Sequence, residues 1–168
     1  MAAKVVTMAE AVDRFVLDGS TVALGTALEA SIPFAAGHEM IRQRRRDLEL
    51  VGPISDALFD QLIGAGCVRR VTAAWVGNVS EGLGHCYRRA AEEGAPRSLE
   101  VHDHTNFSIA LALWAAAWNV PSLPARTLLG SDILQTNPNP AAADGLVHIS
   151  AVPPDVAIVP VQRCDAVV

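Results

Sequence analysis

Two histidines flank a carboxylate at His102-Asp103-His104. In an extended stretch the two imidazoles project to one side and the Asp103 carboxylate to the other, which suits metal ligation, a general base or contact with a substrate. Two histidines make an incomplete metal site, and ordinary polar positions at a strand end give the same pattern. A second candidate is the turn within "ALGTALEASIPFAAGHEMI" (residues 23–41), where Gly25-Thr26 joins an apolar stretch to a helix start. Loops of this kind hold anions on free backbone N–H groups. The turn has neither GxGxxG nor GxxxxGK[ST], and Glu29 would repel phosphate, so neither a dinucleotide nor a lysine-held triphosphate is supported. A glycine after a strand can also be a tight turn and nothing more.

Other reactive types are weaker signals. Cys67, Cys86 and Cys164 are odd in number and widely spaced, with no CxxC pair, so they read as reduced and mostly buried thiols. Arg42, Arg44, Arg45 and Arg46 gather where a helix ends, a place that favours cations on electrostatic grounds alone. Trp114 and Trp118, four apart on an Ala-rich helix, suit a core or a subunit interface.

The elements that must position these residues alternate. Thr7-Met-Ala-Glu10 is a capping box that starts a helix over 8–18, with Gly19 closing it. A strand at 20–25 follows, then a helix with Ser31 as N-cap and Pro33 in its first turn. Strands over 47–51, 68–76 and 98–102 alternate with helices after Ser55 or Asp56, over 84–93, and from the Thr105 cap through Trp118. Residues 122–154 lose the pattern, and "QTNPNPAAADG" (135–145) reads as a surface loop. The segment 155–162 reads as one more buried strand, with Pro160 marking an edge or an end.

This βαβ series predicts an α/β fold, an open and mostly parallel sheet with helices on both faces, as one domain over 1–168. The length and the 51% apolar content, poor in aromatics, fit a core of Ala, Val, Leu and Ile. In such a sheet ligands bind where the strands' carboxyl ends meet helix N-termini. Five segments should converge there: Gly25-Thr26, Gly52-Pro53, Gly77-Asn78, His102 to His104, and Gly130-Ser131-Asp132. A net charge of −5 argues against nucleic acid or an anionic membrane as partner. No run approaches a membrane span and no secretory leader is visible, so a cytoplasmic location is expected.

The segments "IRQRRRDLELVGP", "LIGAGCVRRVTAAWVG", "HCYRRAAEEG" and "LPARTLLGSDIL", in this order and spacing, resemble the A (alpha) subunit of family I coenzyme A transferases of the glutaconate CoA-transferase type. The resemblance covers nearly the whole chain. It implies a layered α/β/α subunit in a hetero-oligomer with a B subunit, coenzyme A thioesters and carboxylic acids as substrates, and no permanently bound cofactor or metal. The nucleophilic glutamate is expected on the B subunit. The resemblance assigns Gly25 and Thr26 to the acyl site, Asn78 to the loop after the third strand, and the segment containing His102, Asp103 and Asn106 to the same cleft. Ser131, from the loops converging at the sheet's carboxyl end, joins the substrate-binding set. The family also has a branch of ring-cleaving hydrolases in which an acidic residue of the A subunit does the chemistry, for which Asp103 and Glu100 are candidates, while a non-catalytic acyl-CoA binding or structural subunit is a further alternative. Family members continue beyond "VQRCD", so a chain ending at Val168 is expected to be truncated or naturally short, with a sheet edge left for a partner.

Overall fold

The computed structural model describes residues 5–25, 31–55, 57–78 and 81–165. The chain opens on α1 (Met8–Phe15), where the Thr7 hydroxyl accepts from the Glu10 N–H and the Glu10 carboxylate accepts from the Thr7 N–H. The helix stops earlier than its sequence predicts, because Val16 turns extended and buries its side chain. Next come β1 (Thr21–Leu24), α2 (Phe34–Arg42), β2 (Leu48–Ser55), α3 (Ala57–Gly64), β3 (Val68–Asn78), the short β4 (Gly82–Leu83), α4 (His85–Glu93), β5 (Glu100–Asp103) and α5 (Asn106–Ala117). The chain continues through β6 (Ser122–Ala125), α6 (Ile133–Thr136), β7 (Pro140–Ala143), β8 (Leu146–Ser150) and β9 (Val156–Ile158).

Strands β9, β1, β2, β3 and β5 form an open parallel sheet, and β4 adds antiparallel to the far end of β3. Because side chains alternate along a strand, each central strand feeds two cores. Val22, Leu24, Leu48, Leu50 and Val71 face α1 to α4, meeting Val12, Met40, Leu58, Phe59 and Leu62. Ala23 and Val51 point the other way, toward Ile109 and Ala112 of α5 and Val147 and Ile149 of β8. Each fully buried Leu, Ile or Phe contributes roughly 1.5–3 kcal/mol. The α/β class and the mostly parallel sheet agree with the sequence. The second face differs in one respect: α5 shares it with a small antiparallel sheet ordered β6-β8-β7.

That sheet corrects the loop expected over 135–145. Ala143 pairs with Leu146, so Asp144-Gly145 is a two-residue hairpin turn with φ of +54° and +72°. Further corrections are local. Ser31 does not cap α2, whose N-cap is Pro33 with no side-chain bond. Gly52-Pro53 lies inside β2, which runs on to Ser55. The last strand is only Val156–Ile158, partly exposed at the sheet edge, rather than a buried run to 162. Trp114 and Trp118 stack on each other at 5.9 Å but stand 55% and 63% exposed, so they are no part of the core. Cys67 is buried, Cys86 half-buried and Cys164 exposed, against the expectation that most are buried.

Candidate active-site cleft

Strands β2 and β3 run past the ends of their neighbours, so the carboxyl rim of the sheet is stepped. Gly52 aligns with Ala73, and Ala73 with Asp103, where β5 ends. Above this row Ile54, Ala74 and Trp75 make one wall of a cleft of about 440 Å³, and His104, Thr105 and Asn106 make the other. The second wall is the first turn of α5. Thr105 caps it, its hydroxyl accepting from the Ser108 N–H at 3.1 Å while Ser108 Oγ accepts from the Thr105 N–H at 2.9 Å. The helix thus presents its positive end, uncovered N–H groups and an amide side chain to one opening.

His104 is 3% exposed and its Nδ1 lies 3.0 Å from Ser108 Oγ, whereas its Nε2 has no partner among the described residues. Burial, with His102 nearby, pushes the ring down to about 4, so it is neutral at pH 7. His102, also buried, belongs to a different group. Its Nε2 is 2.8 Å from Glu100 Oε1; Glu100 takes the Arg70 guanidinium at 2.8 Å, and Arg70 reaches Glu49 at 3.1 Å. Thr72 donates to Glu49 at 2.9 Å, closing the network. The Arg70 hydrogen bond holds Glu100 below the usual carboxylate range, with His102 helping. This network sits toward the amino ends of the strands, away from the cleft.

The remaining residues singled out from the sequence fall in several places. Asn106 lines the cleft. Asp103 lines a separate groove of about 220 Å³ with Tyr87, Leu83 and Val101, across the sheet from the histidines. Burial and then the Asp103 charge raise the Tyr87 phenol. The backbone of Asp103 is tied as well, its carbonyl accepting from Asn137 Nδ2 at 2.5 Å. Gly25 donates its N–H to Ile158 O at 2.6 Å, and a Cβ there would meet the same oxygen at 3.0 Å, so its glycine identity lets β9 approach. Asn78 ends β3, and its side chain lies outside the described residues, as does the whole of Thr26. Ser131 spends its hydroxyl on Leu128 O at 2.9 Å and lines neither the cleft nor the groove. Sequence reasoning passed over Asn137 and the pairing of His104 with Ser108; the latter is legible as a His four residues before a Ser at a capped helix start. Among the described residues no group of three His, Cys, Asp or Glu side chains could hold a metal, and no helix is long and apolar enough to cross a membrane.

Residues 5–168 match the family model described as coenzyme A transferase. The chain belongs to the coenzyme A transferase family. Over 169 residues this family member is 41% identical to the A (alpha) subunit of the 3-oxoadipate CoA-transferase of Pseudomonas knackmussii, an alignment covering 97% of this chain and 60% of the relative. It is 30% identical to the A (alpha) subunit of the glutaconate CoA-transferase of Acidaminococcus fermentans, over 77% of this chain and 40% of that one. The crystal structure of glutaconate coenzyme A-transferase from that organism superposes with a TM-score of 0.82 at 26% identity, covering 93% of this chain and 56% of the other. The crystal structure of a variant of the decarboxylase AibA/AibB superposes with a TM-score of 0.78 at 29% identity, covering 92% and 60%. This transferase family member thus spans about two fifths to three fifths of the length of these relatives.

Proposed function

We propose that this chain is the A subunit of a two-subunit coenzyme A transferase that moves CoA between carboxylic acids, with the nucleophilic glutamate on the B subunit. The observation that carries this reading is the 41% identity, over 97% of the chain, to the A (alpha) subunit of a 3-oxoadipate CoA-transferase. The cleft suits a supporting role. Among the described residues its lining has neutral hydrogen-bonding groups from the start of α5 and contains no Asp, Glu, Cys or Ser. A partner carboxylate attacking the acyl-CoA carbonyl keeps the thioester energy in a covalent intermediate instead of losing it to water. Neutral donors beside that carbonyl favour the charge that develops on its oxygen.

Asn106 is assigned to the acyl group from its place in the cleft, and Thr26 and Asn78 by resemblance alone. Phe107 and Trp114 on α5 and Trp118 at its C-cap, all exposed, supply the kind of apolar face that subunits bury against one another. The test is to reconstitute the chain with its B partner, incubate with a panel of thioesters and free acids, and trap the intermediate with hydroxylamine. A hydroxamate on a glutamate of the partner is expected. An active complex that forms no such adduct overturns the reading.

A second reading is a related CoA-thioester ring-cleaving hydrolase in which an acid of this chain does the chemistry, and the place of Asp103 in a groove of its own at the end of β5 favours keeping it. Asp103→Asn separates the two. Turnover within about tenfold of the unmutated complex, about 1.4 kcal/mol, supports the transferase. A fall of several orders with the fold intact moves the chemistry onto this chain.

A further inference from the structure

We infer that His104 donates an Nε2 hydrogen bond to the carbonyl oxygen of a bound thioester, its proton fixed on that nitrogen by Ser108. This role deepens the transferase reading and rests on it for the identity of the ligand. Ser108 sets the proton count. A serine oxygen has two lone pairs and one proton. The lone pairs of Ser108 Oγ are filled by the Thr105 N–H at 2.9 Å and the Thr105 hydroxyl at 3.2 Å. Its proton can go to Thr105 O at 3.2 Å or to His104 Nδ1 at the shorter 3.0 Å. With both Thr105 donors directed at Ser108 Oγ, no lone pair is left for an Nδ1–H, and this arrangement assigns the His104 ring proton to Nε2.

That N–H is buried without a partner among the described residues, in a ring lining the cleft. An orphan of this kind costs roughly 1–3 kcal/mol, recovered when a ligand oxygen fills it. The same deficit exists at Nδ1 of His102, but that residue does not line the cleft and its other nitrogen is engaged by Glu100. The position of His104 is fixed from both sides, since its own backbone N–H donates to Ala73 O at 2.9 Å.

The lining also selects the chemical class. Ile54, Ala74, Trp75, His104, Thr105 and Asn106 include no fixed cation. An ionised carboxylate would give up its hydration there with no counter-charge from these residues. A thioester carbonyl has only a partial charge, which one N–H and the positive end of α5 satisfy, and both favour the oxygen further as negative charge grows on it.

The test is proton–nitrogen NMR of the reconstituted complex in which this chain is labelled with ¹⁵N-histidine, first without ligand and then with acetyl-CoA, CoA or acetate. In the ligand-free complex His104 should carry its proton on Nε2, and Ser108→Ala should shift proton density toward Nδ1. Acetyl-CoA should move the Nε2–H resonance, and CoA or acetate alone should not. A proton found on Nδ1, a resonance that acetyl-CoA leaves unmoved, or an equal response to acetate overturns the proposal. In the reconstituted complex His104→Phe should lower kcat by about 10²-fold, with His104→Gln, which keeps an N–H, recovering part of it. If the complex transfers no CoA yet acetyl-CoA moves the resonance, the transferase reading falls and this site stands. If it transfers CoA normally with His104→Phe, the site falls and the transferase reading stands.

Discussion

Two polar regions lie on the same face of the sheet, one reaching His102 within β5 and the other starting at His104 just past its end, and they are built on opposite principles. Toward the amino ends Glu49, Arg70, Thr72, Glu100 and His102 bond to one another across three strands. At the carboxyl end His104 and Thr105 bond inward to Ser108 of α5 and, with Asn106, line a cleft. The first group spends its charges on itself, and the nitrogens it leaves over, Arg70 Nε and His102 Nδ1, belong to residues that do not line the cleft. The second is left incomplete at one nitrogen of a ring in contact with open volume. Polar residues buried in a sheet are therefore sorted by where their unused valence points rather than by their type.

The sharpest way to break this contrast is to remove the centre of the closed group. Glu49→Ala takes from Arg70 one of its two carboxylates, leaving it Glu100, and leaves the buried Thr72 hydroxyl without its acceptor, and should cost about 3 kcal/mol in equilibrium denaturation. A loss below about 1 kcal/mol would mean the network is surface decoration.

Acid should distinguish the regions next. The folded His104 titrates near 4 against an ordinary 6.5, so the unfolded chain takes up its proton first. Its contribution to stability is complete above pH 6.5 and is lost as pH falls toward 4, amounting to about 3 kcal/mol. His104→Gln should flatten that part of the pH profile; an unchanged slope would place the acid sensitivity elsewhere.

The smallest effect concerns the cap. Thr105→Ala removes one side of the reciprocal pair at the start of α5 and should cost about 1 kcal/mol in thermal or denaturant unfolding. It should also loosen Ser108 and, through it, His104. If stability falls and the His104 resonance stays fixed, the ring is held by packing rather than by the cap.

Much of the scaffold was legible because local and global signals agree in it. Thr7 with Glu10 and Thr105 with the apolar run after it announce their helices, and short β-branched stretches between glycines announce the strands. The edge strand β7 of the second sheet was not legible, since Pro140-Ala-Ala-Ala143 has neither alternation nor β-branched residues. The signals the sequence does carry there are Asp144-Gly145, the dipeptide of a tight hairpin, and the alternation of Val147 and Ile149 in β8 after it. At the site, the alternation that sets His102 and His104 against Asp103 follows from the extended chain. What separates the two histidines does not: His102 meets Glu100 from its own strand, whereas His104 lies beyond the last paired residue and is claimed by a helix. Ser131 and Gly52 show the limit of the rim argument, because a loop's exit from a strand says nothing about where the strand stops.

The pairing of β1 with β9 has a consequence for how the chain is made. Thr21 waits for Asp155, 134 positions later, to accept its N–H, and Gly25 waits for Ile158. Until the ribosome has delivered those residues, one flank of β1 stays bare to any passing extended segment. The edge of the sheet is therefore sealed late, by some of the last residues to be synthesised among those described.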